Sequence, residues 1–210
     1  MTLLQEKPRR SRDSRPRMTE DEFVSWAMAD EFTRAEWVDG EVIIMSPVSL
    51  DHVRLTKWFV RVIDEYVEYH DLGEMFGPEY MVRFSQLKTR RVPDVLSIAK
   101  KRMHLLQKNH FEGAPDLIIE IVSPDSVSRD WREKYEQYEK SGVREYWIVD
   151  PLSRRAEAYA LSRGKRYQRI SEKDGALHSH VIRGLWLKTE WFWPETRPAV
   201  LTALKLLGIR

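Results

Sequence analysis

The chain has 210 residues, no cysteine, and 35 Lys and Arg against 33 Asp and Glu, which gives a net charge of +2 at neutral pH. The absence of cysteine excludes disulfides, thiolate nucleophiles and zinc sites that use sulfur, so any bound metal would be held by oxygen or histidine. The weakly basic charge balance neither requires nor opposes nucleic-acid binding. No apolar segment approaches the roughly 18 residues of a membrane span, and the N-terminus carries no apolar signal core. We therefore expect a cytoplasmic protein with no membrane partner.

The first predicted elements follow a basic arm. Residues 1–17 are polar and rich in Arg and Pro, which predicts a disordered arm before a single domain over residues 18–210. Thr19 and Glu22 have the spacing of a capping box, which predicts the start of a short helix.

A hairpin and a long helix come next. Asp39-Gly40 separates two short apolar runs, which is a strong signal for a hairpin turn. A long amphipathic helix follows, with Ser49 as a candidate cap. Its apolar face is predicted from Leu55, Trp58, Phe59, Val62, Ile63 and Tyr66.

The remaining chain reads as strands around one helix. Strand character appears in residues 73–85, 93–99, 115–122 and 144–150. A helix is predicted over residues 125–141, and Gly142 ends it. An antiparallel strand pair and a Trp-rich segment follow towards the C-terminus. Hairpins first and a strand-helix-strand unit later predict an α/β protein with a central mixed sheet flanked by helices.

An acidic residue interrupts the apolar segment near the middle of the chain. The run PDLIIEIVSPDS has Glu120 at its centre, and its neighbours do not alternate with polar residues, so it predicts a strand covered on both faces. Because an isolated buried carboxylate is costly, Glu120 is expected to meet a cation, a hydrogen-bond donor, water in a cleft or a metal. A buried arginine partner, for instance from KTRRV, would make its role structural.

A neighbouring strand offers a second acid. Asp116 and Glu120 share a strand face but lie about 13 Å apart, too far to join on one small ion. Asp116 is therefore a candidate for a supporting role. Asp94, from VPDVLSIA, is the better partner, since paired strands are about 4.8 Å apart and both acids converge on one divalent ion if the registers match.

The helix after this strand carries an inward-facing lysine. Lys134 falls within an apolar stripe at helical spacing. The other members of the stripe are Val127, Trp131, Tyr135 and Tyr138. Since the helix should pack back over the sheet, its ammonium is expected near Glu120 and Asp94. Two acids that hold a metal and a lysine that orients water form a hydrolytic set. Tyr138 is interpreted as core.

These residues resemble a known group of nucleases. Pro93-Asp94 followed by Glu120 in an apolar strand resembles the PD-(D/E)XK superfamily, which has the restriction endonuclease-like fold. The run from residue 115 to 151, with WVDGEVIIMSP, His52 and RVPDVLSIA, is similar to the Uma family, a family of unknown function grouped with restriction endonucleases, over roughly residues 20–190. The resemblance implies a Mg²⁺-dependent DNA endonuclease, with Mn²⁺ as an alternative, whose metal-binding acids are Asp94 and Glu120.

One position departs from the superfamily pattern. The usual lysine stands two residues after the second acid, where this chain has Val122. Migration of the lysine to a nearby helix is a variant of the superfamily, and Lys134 lies where the Uma pattern also has a lysine. The inward stripe supports the same assignment.

Several further residues are candidates with weaker support. Glu41 shares a strand face with Ile43 and is a possible additional acid, although a solvated strand end is the simpler interpretation. His52 resembles a family position, with capping or packing as the simpler role. Arg90, Arg91, Lys100 and Lys101 flank the Asp94 strand and are candidates for contacts with the DNA backbone.

Three functional interpretations follow. The first is a metal-dependent endonuclease acting on DNA, and the second is an inactive nuclease-fold module that binds DNA or a protein partner. The third, a two-carboxylate hydrolase such as a glycosidase, is disfavoured by the inward lysine. Because one site that cuts both strands often works as a pair, we also expect a homodimer, with the antiparallel strands or Trp191 and Trp193 as its contact.

Overall fold

The described part of the chain contains a six-stranded, a five-stranded and a two-stranded β-sheet, with helices packed on them. The computed structural model describes residues 16–29, 34–123 and 129–209, with the backbone alone at 129 and 130. Residues 1–15 of the predicted arm and Val127 of the predicted stripe lie outside the described residues.

The α-helices are α1 (Glu20–Ala29), α2 (Leu50–Tyr69), α3 (Tyr135–Ser141) and α4 (Val200–Leu206), and a π-helical segment, Arg129–Lys134, leads directly into α3. The strands are β1 (Ala35–Val38), β2 (Glu41–Ile44), β3 (Gly73–Phe76), β4 (Met81–Phe84), β5 (Thr89–Arg91), β6 (Val95–Ala99), β7 (His110–Glu112), β8 (Leu117–Ile121), β9 (Glu145–Asp150), β10 (Arg155–Leu161), β11 (Tyr167–Ile170), β12 (Ala176–His178) and β13 (Trp186–Lys188).

Local signals at the start of the described chain are confirmed. The Thr19 amide donates to Glu22 Oε2 at 2.7 Å and the Glu22 amide donates to Thr19 Oγ1 at 3.3 Å, which is the reciprocal pattern of a capping box. Asp39 and Gly40 both have positive φ, 45° and 88°, as a two-residue hairpin turn requires. At the start of α2, the Ser49 hydroxyl accepts from a backbone amide and caps the helix.

The six-stranded sheet has the order β11-β10-β9-β8-β6-β3. Its centre is β8, which runs parallel to β9 and antiparallel to β6. Leu117, Ile119 and Ile121 pack in the cluster formed with α2, whereas Ile118 and Val122 pack in the opposite cluster with residues of α3. Both faces of β8 are therefore buried, as its uninterrupted apolar sequence predicts. The mixed α/β architecture is confirmed.

The five-stranded sheet has the order β2-β1-β5-β4-β7 and contains the N-terminal hairpin. Strand β5 belongs to this sheet, whereas β6 belongs to the six-stranded sheet, and only residues 92–94 connect the two. This short link brings the two sheets together at Asp94. The junction is the place where residues of both sheets meet.

The C-terminal part closes the core on the α2 side. Helix α4, which our sequence analysis did not include, packs against α2, and the Trp58 indole donates to the Pro198 carbonyl at 2.8 Å. Trp191 is buried in this core with its ring edge against Trp58, and Trp193 packs on the same cluster, so the buried Trp191 is not exposed for a dimer contact. Within the described ranges, no helix combines the length and the apolar character needed to cross a bilayer.

Candidate active site

The site begins where β8 ends and β6 starts. Strands β6 and β8 pair with Val95 opposite Ile119, so the next pair in this register is Asp94 opposite Glu120. The Ile121 amide donates to Asp94 Oδ2 at 2.8 Å, which holds the Asp94 carboxylate against β8 immediately beyond Glu120. The register condition stated for a two-acid site is thus met, and both acids are buried.

Glu120 is bound by two side chains from the following helical segment. Lys134 Nζ lies 2.8 Å from Glu120 Oε2, and the Tyr138 hydroxyl donates to Glu120 Oε1 at 2.6 Å. Lys134 is only 3% exposed, so its ammonium is inside the protein and not in solvent. It is the last residue of the π-helical segment, a type of helical irregularity that often occurs at functional sites. Tyr138 packs in the core as predicted and in addition supplies a hydroxyl to the acid.

A third buried acid, Glu36 of β1, completes the cluster. Its carboxylate is 1% exposed and lies 3.8 Å from Lys134 Nζ. Arg91 Nη1 lies 2.6 Å from Glu36 Oε2, and the Val92 amide donates to Glu36 Oε1 at 3.2 Å. The five-stranded sheet therefore contributes a carboxylate and a guanidinium to a site that also contains Glu120 of β8, Lys134 of the π-helical segment and Tyr138 of α3.

The charges in this cluster stabilise one another. Burial alone would raise the pKa of Glu36, but the positive charges of Lys134 and Arg91 outweigh that effect and lower the pKa to about 2. Burial opposes the charge of Arg91, yet the adjacent Glu36 carboxylate raises the pKa of the guanidinium. Burial, followed by the charge of Glu120, raises the pKa of Tyr138 well above its ordinary value, so the phenol stays a donor.

His52 links this cluster to α2. Its Nε2 lies 3.0 Å from Asp94 Oδ1, so the two Asp94 oxygens are bound by His52 and by the Ile121 amide. An ionised carboxylate only accepts, so with Asp94 in that form His52 Nε2 is the donor. The other ring nitrogen, Nδ1, is buried and has no hydrogen-bond partner among the described residues. The backbone amide of His52 donates to Ser49 Oγ, so the residue takes part in the cap and also in the site.

Two of the basic candidates for DNA contacts lie inside the protein. Arg91 is fully buried with its guanidinium on Glu36 and on Gln137, and Arg90 is buried with its Nε 2.7 Å from Glu20 Oε1. A DNA phosphate would have to displace these carboxylates, so we do not assign backbone contacts to either arginine. Lys100 and Lys101 are exposed, and Lys100 pairs with Asp71.

The structure does not join the remaining acidic candidates to Glu120 on one ion. Asp116 lies at the opposite end of β8, where it accepts from the Ala99 amide at 2.8 Å and pairs with Arg102 and Arg144. These contacts tie β8 to the surrounding loops. Glu41 is half-buried beside the hairpin turn, opposite Val38, and its backbone forms an isolated β-bridge with Arg17.

Glu36 was missed in the sequence analysis although a signal was present. It stands between Ala35 and Trp37 in a short strand, the same kind of interruption that singled out Glu120. Glu41 was considered as an additional acid from the N-terminal part of the chain because it follows the hairpin turn. A search for an acid between buried apolar neighbours would have favoured Glu36.

The residues fit Mg²⁺ as a site with two carboxylates. Within the described ranges, no group of three or more His, Asp or Glu side chains is arranged to hold a metal ion. Mg²⁺ commonly takes one or two carboxylates and keeps several waters. Asp94 and Glu120 supply two carboxylates from facing positions of neighbouring strands, which is the number such a site needs.

Comparisons with known proteins identify the family and the fold of the chain. Residues 20–190 match the model of the Uma2 family, described as "Putative restriction endonuclease". The chain is 26% identical to the uncharacterized protein sll1609 of Synechocystis sp. over 128 residues, which cover 60% of this chain and 71% of that protein. A crystal structure described as a putative nuclease of DUF820 from Anabaena variabilis superposes with a TM-score of 0.64 at 20% identity, over 90% of this chain and 99% of the other, and shows the same fold. Since the family model covers most of its length, the chain belongs to the Uma2 family of restriction endonuclease-like proteins.

Proposed function

We propose that this chain is a metal-dependent endonuclease that hydrolyses DNA phosphodiester bonds. The observation that carries the proposal is the contact of 2.8 Å between the buried Lys134 ammonium and Glu120, beside the second acid Asp94. An apolar core has no need for a buried lysine and three acids, because equivalent hydrophobic packing is often at least as stable. Membership in a family grouped with restriction endonucleases supports a nuclease.

In this proposal each side chain has a defined task. Asp94 and Glu120, with the backbone carbonyl that follows Glu120, hold Mg²⁺ or Mn²⁺, which when bound stabilises negative charge on the phosphate and favours ionisation of water. Lys134 orients the attacking water and offsets charge on a phosphate oxygen. Tyr138 and Glu36 are positioning residues, because they bind Glu120 and Lys134 and fix the place of the amine.

A cleavage assay with matched variants tests the proposal. Purified protein is incubated with supercoiled plasmid and with linear duplex in Mg²⁺, in Mn²⁺ or in a chelator, beside Glu120→Gln, Lys134→Met and the control Lys140→Met. Lys140 lies on α3 but is exposed, in a pair with Glu136. We expect metal-dependent nicking by the wild type and by the control, and a loss of about a hundredfold or more in the two site variants.

Controls separate activity from folding and contamination. Tryptophan fluorescence of each variant at the assay temperature establishes that it is folded. Nicking that survives Glu120→Gln in a folded protein would assign the cleavage to a contaminant or to another site.

A non-catalytic module is the second candidate function. Val122 stands where the superfamily has its lysine, and the Glu120 and Asp94 oxygens are all bound by protein donors. A buried polar cluster that only stabilises the fold would show the same contacts. This candidate predicts that the wild type binds DNA, measured by fluorescence anisotropy, and that it leaves both substrates intact in either metal.

Dimerisation belongs to the same proposal. Cutting both strands of a duplex with one site per chain calls for two copies, and cleavage of both strands then depends on protein concentration. Light scattering of the purified protein measures the mass directly. A monomer that still cuts both strands in a single encounter would contradict this part of the proposal.

A further inference from the structure

A cavity of about 390 Å³ lies along α2 and shares His52 with the candidate site. Its volume falls within the range of about 300–1,000 Å³ that is usual for ligand pockets. Because His52 Nε2 is 3.0 Å from Asp94 Oδ1, one imidazole ring separates the candidate metal-binding acid from this cavity.

The cavity wall combines cations with apolar side chains. Arg34, Lys57 and Arg61 line it against the single acid Glu79 among its described lining residues. Lys57 and Arg61 are four residues apart on α2, about 6 Å along the helix axis, so both extend from the same side of the helix. The rest of the lining is largely apolar and includes valines of α2 and the turn at residues 77–79.

Two lining residues hold polar atoms that the protein leaves without a partner. Arg34 Nε and His52 Nδ1 are both buried, and neither has a hydrogen-bond partner in the part of the chain that the structure describes. The Arg34 guanidinium is fixed by a bond of 2.8 Å from Nη2 to the Pro78 carbonyl, and the His52 side chain is 8% exposed. Buried polar groups are seldom left unsatisfied, because each costs about 1–3 kcal/mol. Arg34 Nε calls for an acceptor from a ligand, such as a phosphate oxygen, whereas His52 Nδ1 calls for a donor when Nε2 carries the proton.

We propose that this cavity binds the nucleotide adjacent to the bond that is cut. The phosphate of that nucleotide accepts from Arg34 and from the ammonium and guanidinium groups of Lys57 and Arg61, and its sugar and base lie against Val53 and Val60. An arginine with a free guanidinium edge is the usual donor to phosphate oxygens. The inference rests on the proposed endonuclease function and extends it by naming where the substrate strand lies.

A binding experiment without metal tests the cavity separately from cleavage. Full-length protein in a chelator is titrated into a fluorescein-labelled DNA duplex at several salt concentrations. We expect the double variant Lys57→Gln/Arg61→Gln to bind about tenfold more weakly, with a salt slope lower by about 1–2. The control Arg54→Gln removes an exposed arginine of α2 that is paired with Asp51 and does not line the cavity. Its affinity should change about twofold or less.

A steric variant tests occupancy without a change of charge. A Cβ on Gly77 would lie 3.8 Å from Val60 Cγ2, an ordinary contact, so the backbone accepts a side chain here and Gly77→Leu adds volume beside Val60, a second lining residue. We expect this variant to bind DNA about tenfold more weakly at unchanged net charge. In the wild type, titration with a 5′-mononucleotide should shift the amide resonances of Val53 and Thr56.

The outcomes separate the two proposals. Binding that weakens in Gly77→Leu and in the double variant, in a protein that never cuts DNA with Mg²⁺ or Mn²⁺, would retain the cavity and refute the endonuclease. DNA binding that is absent in the wild type, unchanged in Gly77→Leu, or equally reduced in Arg54→Gln would overturn the cavity assignment even if cleavage is observed.

Discussion

Replacing Lys134 with methionine should destabilise the fold strongly at neutral pH and weakly in acid. The ammonium lies 2.8 Å from Glu120 and 3.8 Å from Glu36, and all three side chains are almost fully buried. Methionine has a similar length but no charge. In the variant, the buried carboxylates of Glu120 and Glu36 therefore lose part of the positive charge that stabilises them. Removing one partner of a buried ion pair typically costs about 3–5 kcal/mol.

The pKa of Glu36 gives the pH range over which this cost changes. The pKa of Glu36 is lowered from 4.5 to about 2, and Lys134 is the largest of the attractive causes. At about 1.4 kcal/mol for each tenfold change in proton affinity, the whole shift, to which Arg91 and the Val92 amide also contribute, corresponds to about 3 kcal/mol. Because the folded pKa is the lower one, the stabilisation is present above pH 4.5 and is lost as the pH falls towards 2. We expect a loss of about 3 kcal/mol at pH 7 that shrinks to about 1 kcal/mol at pH 3.

Urea unfolding followed by tryptophan fluorescence measures this difference between pH 3 and pH 8, since the chain has eight tryptophans. A loss of about 3 kcal/mol corresponds to a decrease in Tm of about 6–12 °C for a chain of this size. Lys140→Met, on the exposed face of α3, should change stability by less than about 0.5 kcal/mol. A cost in Lys134→Met that is below about 1 kcal/mol, or that does not vary with pH, would refute the reasoning.

The remaining predictions concern other contacts of the site. Tyr138→Phe removes the hydrogen bond of 2.6 Å to Glu120 and should cost about 1.5–3 kcal/mol in urea unfolding. Asp116→Asn weakens the contacts with its two arginines and should cost about 1–3 kcal/mol, whereas the cleavage rate of the folded variant should equal that of the wild type. Between pH 4.5 and pH 2, the free energy of unfolding of the wild type should fall by about 3 kcal/mol relative to that of Glu36→Gln, whose side chain does not titrate. Parallel curves of stability against pH for the two proteins would contradict the lowered pKa of Glu36.

The sequence predicts those features that depend on one segment or on two paired strands. The uninterrupted apolar run of β8 requires cover on both faces, and the spacing of Lys134 within its apolar stripe requires the amine to point inward. Together with the strand period of two, these constraints predict Asp94 and Lys134 as neighbours of Glu120. The contacts of Glu120 with Lys134 and the register of β6 with β8 agree with them.

Features that depend on long-range ion pairs were not predictable from periodicity. Strand β5 has the sequence Thr-Arg-Arg, with no apolar residue, and yet all three residues are buried. Arg91 is neutralised by Glu36, 55 residues earlier, and Arg90 by Glu20, 70 residues earlier. A hydrophobic pattern carries no signal for a strand that is buried through paired charges, and neither partner identifies the other without the fold.

The position of the amine explains why this site extends over both sheets. Val122, where the superfamily has its lysine, is 2% exposed within the apolar cluster on the α3 side, and a lysine there would place its charge among core side chains. From the helix, Lys134 reaches Glu120 but also comes within 3.8 Å of Glu36. Glu36 in turn holds Arg91, three residues before Asp94 on the segment that joins the two sheets. Because the lysine is on the helical segment, the position of its amine depends on the packing of β1 and β5. Substitutions in the five-stranded sheet should therefore affect Glu120 and Asp94 through the buried charges of Glu36 and Lys134.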